Sequence, residues 1–259
     1  MRLCEPGPMT LSPLGWPAAR LALILALVAP GAQAARPYVT DDARITPADG
    51  CQVETWVHSH RRHRGGNEFW AVPACNPTGN LEITAGVNRL TGSGDEPSTA
   101  SALLQLKTLL RTLDTGIGTG FAVGMTARTG GPGTGAGAPS WLSGTYAYNV
   151  TSFSFRDESF VLLTLAGLKR DRERGRTLAM WGVGSETLLL RRGPQELILA
   201  AEVFGAEQGR PGWQAGFRFW VVKEKVQVDA VMGAQIANSG PDGRWVSIGL
   251  RLIGDGFLR

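Results

Sequence analysis

The chain has 259 residues, 19% of them charged, and a formal net charge of +4. So small a positive charge argues against a nucleic-acid partner, and the low charged fraction is unusual for a surface that faces water. Beyond the N-terminal region there is no run of about 18 apolar residues, which excludes a helical membrane protein. The length would suit one large all-β domain or two smaller domains. Because no linker or change of composition divides the chain, one domain is predicted.

The first 34 residues have the pattern of a secretory signal peptide. Basic residues precede the apolar run Leu21–Ala34, "LALILALVAPGAQA", which ends in the small-x-small motif Ala-Gln-Ala. This run is too short to span a bilayer as a helix, and its ending is typical of a cleavage site. We therefore predict a signal peptide over residues 1–34, followed by a periplasmic N-terminal segment over residues 35–50.

Two cysteines, Cys51 and Cys75, remain after the predicted cleavage. An even number of cysteines in an exported protein favours a disulfide over metal-bound thiolates. The two residues lie at the start of one predicted strand and at the end of the next. We predict a Cys51–Cys75 disulfide that closes the base of a hairpin.

Alternation with a period of two residues dominates the rest of the chain and predicts strands. In "LEITAGVNRL", for example, Leu81, Ile83 and Val87 fall on one face, while Glu82 and Thr84 fall on the other. Connections rich in Gly, Pro and charge alternate with shorter ones. Twelve strands are predicted, over residues 51–59, 67–74, 80–89, 100–109, 117–128, 141–151, 160–169, 177–188, 196–206, 213–222, 226–235 and 244–252.

The polar faces of these strands decide between two architectures. A soluble barrel places apolar residues inside, whereas a transmembrane barrel places an apolar band outside and small or polar residues in its lumen. Here the polar faces are rich in Gly, Ala, Ser and Thr, with scattered charges of both signs. We therefore predict an all-β fold, a transmembrane antiparallel up-and-down β-barrel of about 12 strands over residues 51–259. The charged residues predicted to line the lumen are Glu54, Glu82, Lys107, Arg128, Glu202, Arg218, Asp229 and Arg251.

Several strand motifs carry a resemblance to a known family. The segments "CQVETWVH", "NLEITAGV", "LQLKTLLR", "WGVGSETLLL", "AEVFG", "QAGFRFWV" and "VQVDAVMG" together resemble bacterial outer-membrane barrels near the meta-pathway phenol-degradation outer-membrane protein family. The likeness spans nearly all of the chain after the signal peptide, but its motifs are strand patterns and none is catalytic. It implies a barrel in the outer membrane of a Gram-negative bacterium, with a transport function for small molecules.

The histidines of the chain raise the question of a metal site. His58 and His60 share one face of the first predicted strand, and His63 follows in the loop. The three histidines could bind a metal ion, lie on a solvated surface, or belong to a basic patch that contacts lipopolysaccharide phosphates. Because neighbouring arginines would repel a divalent cation, no metal site is predicted. The anion-facing loop is assigned to Arg61, Arg62 and Arg64.

The predicted barrel is expected to be a narrow channel or transporter for small solutes. Its expected partners are outer-membrane lipid and lipopolysaccharide, the barrel-assembly machinery and a small-molecule solute, without a cofactor. We predict no enzyme, because Ser59 and its neighbour His58 point to opposite faces of a strand and no complete catalytic set is evident. Two alternatives stay open: a soluble periplasmic ligand-binding β-barrel, and an outer-membrane barrel with a structural or lipid-hydrolase role.

Overall fold

The computed structural model describes residues 38–60, 66–91, 98–129, 140–172, 174–236 and 243–255, and the predicted signal peptide lies outside them. These residues form twelve strands and one short 3-10 turn, Leu113–Thr115. The strands are β1 (Cys51–His60), β2 (Asn67–Cys75), β3 (Leu81–Leu90), β4 (Thr99–Arg111), β5 (Ile117–Thr129), β6 (Ser140–Phe155), β7 (Phe160–Asp171), β8 (Arg176–Arg192), β9 (Gln195–Ala206), β10 (Gly212–Val222), β11 (Val226–Gln235) and β12 (Arg244–Gly254).

Each strand pairs antiparallel with its neighbours in sequence, and β1 pairs with β12 to close the sheet. Closure leaves no strand edge unpaired. The prediction of a 12-stranded up-and-down barrel is thereby confirmed. No helix among the described residues is long and apolar enough to cross a membrane.

The outer surface of the barrel is apolar. Phe217 in the middle of β10 is 50% exposed, and Ile248 in β12 is 68% exposed. The same surface carries other side chains that the alternation had assigned to lipid, namely Phe121, Val123, Phe219 and Leu250. An apolar exterior around a polar interior is the arrangement of a transmembrane barrel and the reverse of a soluble one.

The two ends of the barrel differ in their connections. Short turns at residues 76–80, 112–116, 156–159, 193–194 and 223–225 all lie at the end where β1 begins. Outer-membrane barrels have short periplasmic turns and longer extracellular loops. We therefore assign this end to the periplasm and the opposite end to the cell exterior.

A disulfide joins Cys51 and Cys75 at the periplasmic end, as predicted. The two residues are direct partners in the register of β1 and β2, and their Cα atoms are 4.1 Å apart. The bond therefore links the first residue of β1 to the last residue of β2.

Removing this disulfide is expected to destabilise the barrel by about 3 kcal/mol. The bond closes a loop over a sequence separation of 24 residues, and the chain-entropy model gives about 3 kcal/mol for a loop of that order. Urea unfolding of the Cys51→Ser/Cys75→Ser double variant should show the loss, and reduced wild-type protein should match the variant. Thiol labelling of purified, unreduced protein should find no free cysteine in the mature chain; two labelled thiols would contradict the assignment.

Candidate functional site

The N-terminal segment, residues 38–46, lies inside the barrel. Tyr38, Thr40, Asp42, Ala43 and Thr46 are all buried. Residues 35–50 were predicted to be periplasmic, whereas residues 38–46 lie in the lumen, and residues 35–37 lie outside the described part of the chain. Inside the lumen, the backbone N–H groups of Val39, Thr40, Ala43 and Thr46 are satisfied by side chains on the inner faces of the strands.

Glu202 in β9 holds the segment near its start, at Val39 and Thr40. Its two carboxylate oxygens accept hydrogen bonds from the backbone N–H of Val39, at 2.7 Å, and of Thr40, at 2.6 Å. Gln214 in β10 donates a further hydrogen bond to the same carboxylate. Thr40 fits because the facing residue of β8 is Gly182, where any β-carbon would collide with the threonine side chain.

Glu82 at the periplasmic end of β3 holds the other end of the segment. Its Oε2 atom accepts hydrogen bonds from the backbone N–H of Thr46, at 2.7 Å, and from the Thr46 hydroxyl, at 2.6 Å. The Asn76 side chain donates to the Thr46 carbonyl at 2.7 Å. Between these anchors, Ser152 Oγ accepts a hydrogen bond from the backbone N–H of Ala43 at 2.8 Å.

Lys107 in β4 makes three contacts with the segment. Its Nζ donates to Asp41 Oδ1 at 2.9 Å, to the Asp42 carbonyl at 2.7 Å and to the Arg44 carbonyl at 2.9 Å. The Tyr148 hydroxyl donates to the second carboxylate oxygen of Asp41 at 2.9 Å. An ammonium group has three N–H donors, so all three are used to fix the segment.

Ion pairs cross the lumen beside the segment. Arg218 in β10 donates from Nε to Asp229 Oδ1 at 2.9 Å and from Nη1 to Glu186. The Tyr38 ring lies 5.3 Å from the Arg218 guanidinium carbon, a cation–π contact. Arg44 extends the network, because it pairs with Glu186 at 3.2 Å.

A second ion pair lies between β12 and β1. Arg251 Nε is 3.1 Å from Glu54 Oε1, and it donates a hydrogen bond to Gln52 Oε1 at 2.9 Å. All three side chains are at least nine-tenths buried. Buried charges of this kind persist because each has an opposite charge or hydrogen-bond partner.

Little space is left around the segment. A cavity bordered by Tyr38, Thr40, Glu186, Glu202 and Arg218 has about 10 Å³ of room for water. A cavity needs about 10–15 Å³ to hold one water molecule. This cavity therefore has room for about one water molecule.

The structure places the eight predicted lumen charges as follows. Seven of them are buried inside the barrel, and Arg128, near the extracellular end of β5, is half-buried. The predicted anion-facing residues Arg61, Arg62 and Arg64 lie outside the described residues.

Several charged side chains in the lumen were not predicted from the sequence. Glu186 could have been found by parity, since it follows Gly182 and Gly184 on the inner face of β8. Asp41 and Arg44 carry no such signal, because residues 38–46 have no periodic pattern of polar and apolar residues.

Near the extracellular end, His58, His60 and Glu68 form a cluster whose candidate ligand atoms all lie within 4.8 Å of one another.

Comparisons with known proteins agree with the fold. A family model described as "Uncharacterised conserved protein UCP029691" matches residues 22–253. The KdgM porin is similar with a TM-score of 0.55 and 4% identity, over 78% of this chain and 98% of that one. The beta domain of the Bordetella autotransporter BrkA is similar with a TM-score of 0.50 and 11% identity, over 80% and 99%. No curated protein sequence matches significantly.

These likenesses bear on the fold alone, since the identities are so low. Together with the apolar exterior and the closed twelve-stranded sheet, they show an outer-membrane β-barrel. The more specific resemblance to the meta-pathway phenol-degradation family is not shown by these matches. The chain is therefore located in the outer membrane, as predicted.

Proposed function

We propose that this chain, which belongs to the family described as "Uncharacterised conserved protein UCP029691", is an outer-membrane channel for small solutes that its own N-terminal segment keeps closed. One observation carries the proposal. Residues 38–46 occupy the lumen chiefly through hydrogen bonds and ion pairs to side chains of the barrel wall. Contacts of this kind can be exchanged for contacts with water, so the segment can leave without unfolding the barrel.

The contacts that hold the segment are mainly polar. Hydrogen bonds to charged groups, such as those of Glu82, Lys107 and Glu202, contribute about 1.5–3 kcal/mol each net, because water competes for the same groups. Apolar contacts of the segment are few: Ala43 packs in a cluster with Ala122 and Val150, and Tyr38 packs with Ala200 and Val231. The barrel itself is held by twelve hydrogen-bonded strand pairings that do not include the segment.

The glycines in the barrel wall behind the segment also favour a pathway for solutes through the lumen. Gly118 in β5 and Gly182 in β8 face the segment, and a β-carbon at Gly118 would lie 2.9 Å from Ala43 Cβ. Without the segment, these two positions would present no side chain to the lumen. The remaining wall carries paired charges of both signs, which would give weak ion selectivity.

The same residues give less support to a hydrolase. Ser59 is exposed on the outer face, and the hydroxyl of Ser247, the register partner of His58 on the inner face, makes no hydrogen bond with any described residue. A nucleophile and its base need a hydrogen bond of about 2.6–3.2 Å. We therefore propose passage of solutes, and not catalysis, as the activity.

Planar-bilayer recordings of matched variants test the gate. The Glu82→Gln/Glu202→Gln variant weakens both anchors of the segment, because a neutral amide accepts hydrogen bonds less strongly than a carboxylate. We expect it to be open for a much larger fraction of the time than the wild type, and we expect deletion of residues 35–46 to give a steadily open pore. Glu54→Gln is the matched control: this carboxylate is equally buried but pairs with Arg251 in the wall, so its recordings should resemble the wild type.

Heat-modifiable migration on denaturing gels establishes that each variant is folded. If the folded deletion variant and the folded double variant are both silent, the chain is a plugged structural barrel and the channel proposal is wrong. Conductance that rises equally in the Glu54→Gln control would also contradict the role given to the segment.

A further inference from the structure

We infer, in contrast to the prediction of no metal site from the sequence, that His58, His60 and Glu68 form a binding site for a divalent transition-metal cation, with Zn²⁺ as the ion that suits the ligand set. Two imidazoles and one carboxylate are a recurrent three-ligand zinc set that leaves a fourth position for water. The site is separate from the contacts of the N-terminal segment. It therefore does not depend on the proposed channel function.

The register of the barrel brings the three side chains together. His58 and His60 lie two residues apart on β1, so they share its inner face. Glu68 on β2 is the direct cross-strand partner of His58. Their candidate ligand atoms all lie within 4.8 Å of one another, at the extracellular end of the lumen.

Hydrogen bonds fix the orientation of the carboxylate. Glu68 Oε1 accepts a hydrogen bond from Trp70 Nε1 at 2.9 Å and another from Asn88 Nδ2 at 2.7 Å. Its other oxygen, Oε2, lies 3.5 Å from His60 Nε2. Such outer-shell hydrogen bonds are typical of carboxylates that ligate metals, because they orient the ligand oxygen.

Two buried polar atoms, one on His58 and one on its cross-strand neighbour Ser247, are a second observation. Nε2 of His58 is buried and makes no hydrogen bond with the described residues. The same holds for the hydroxyl of Ser247, which is the cross-strand partner of His58 on β12. A buried polar group without a partner costs about 1–3 kcal/mol. A cation ligated by Nε2 of His58 would remove that cost for the imidazole.

The distances between the three candidate ligand atoms are close to those of a tetrahedral zinc site. Ligands at about 2.1 Å from a tetrahedral ion lie about 3.4 Å from one another. His60 Nε2 and Glu68 Oε2 already have this separation, at 3.5 Å. The remaining approach, from at most 4.8 Å, is within reach of a change in the χ angles of His58.

Zinc titration of the untagged, folded barrel in detergent tests the site. After treatment with a chelator, the wild type should bind one Zn²⁺ per chain in competition with a metal-sensitive dye. His58→Asn and Glu68→Gln should each lower the affinity at least about 100-fold, by loss of one ligand of three. Glu68→Gln is the sharper variant, because it keeps every histidine and can still accept hydrogen bonds from Trp70 and Asn88.

Glu196→Gln serves as the matched control, since this buried carboxylate lies at the periplasmic end of β9 and pairs with Arg191. It should bind zinc as the wild type does. Thermal unfolding gives a second measurement: Zn²⁺ should raise the midpoint of the wild type and of Glu196→Gln, but not that of Glu68→Gln. Unchanged zinc affinity in both His58→Asn and Glu68→Gln, or no binding by the folded wild type, would overturn the inference.

Discussion

Replacing Arg218 with methionine is expected to lower the free energy of unfolding by about 3–5 kcal/mol. Arg218 is 3% exposed and pairs with both Asp229 and Glu186. Removal of the guanidinium leaves two carboxylates in the interior with less compensation, and breaking a buried pair by removing one partner costs about that much. The cation–π contact with Tyr38 would be lost as well.

Urea unfolding followed by tryptophan fluorescence measures this effect. Lys225→Met is the matched control, because Lys225 and Asp255 form an ion pair of 2.6 Å in which both side chains are more than half exposed. Exposed pairs contribute about 0–1 kcal/mol, so the control should be close to the wild type. The Arg218→Met/Asp229→Leu variant should recover part of the loss. If Arg218→Met is as stable as the control, the pair does not stabilise the lumen.

Replacing Phe217 with arginine is expected to cost about 2–4 kcal/mol, the penalty for a basic side chain on the lipid face near the bilayer midplane. Phe217 lies in the middle of β10 and is 50% exposed on the apolar surface. Its neighbour in sequence is Arg218, whose side chain points into the lumen. The two adjacent positions therefore test the same side chain in lipid and in the polar interior.

Val222→Arg is the control for depth. Val222 is also exposed on the outer face of β10, but it is the last residue of the strand at the periplasmic end. Near an interface the penalty falls to about 0–1 kcal/mol. Unfolding should be measured in lipid vesicles, and equal losses for Phe217→Arg and Val222→Arg would contradict the assignment of the outer face to lipid.

Some of the lumen side chains hold the N-terminal segment, and others pair within the wall. Glu82, Lys107 and Glu202 were predicted from parity alone as lumen residues, and in the structure each of them contacts the N-terminal segment. Their role is thus different from that of Glu54 and Arg251, which pair within the wall. A lumen side chain can therefore be chosen for mutation according to whether it holds the segment or the wall.

The fold itself could be read from local patterns, because strand alternation is a local property. In "LEITAGVNRL" the period of two predicts both the strand and the face that each residue occupies, and β3 spans Leu81–Leu90 as a result. Parity fails where both faces are apolar. In β2, Trp70 and Val72 are buried inside while Phe69 is exposed outside, so the inward direction of Glu68 was not evident.

The sequence by itself determined the strands, the closure of the barrel, the apolar exterior and the Cys51–Cys75 pairing, because each follows from alternation or from the spacing of neighbouring elements. Only the tertiary structure decided what fills the lumen. Thr46 meets Glu82 across 36 positions of sequence, and Val39 meets Glu202 across 163. Residues 38–46 have no repeating pattern from which these hydrogen-bond partners could be predicted. Their position is fixed by hydrogen bonds to side chains of several strands that are far apart in the sequence.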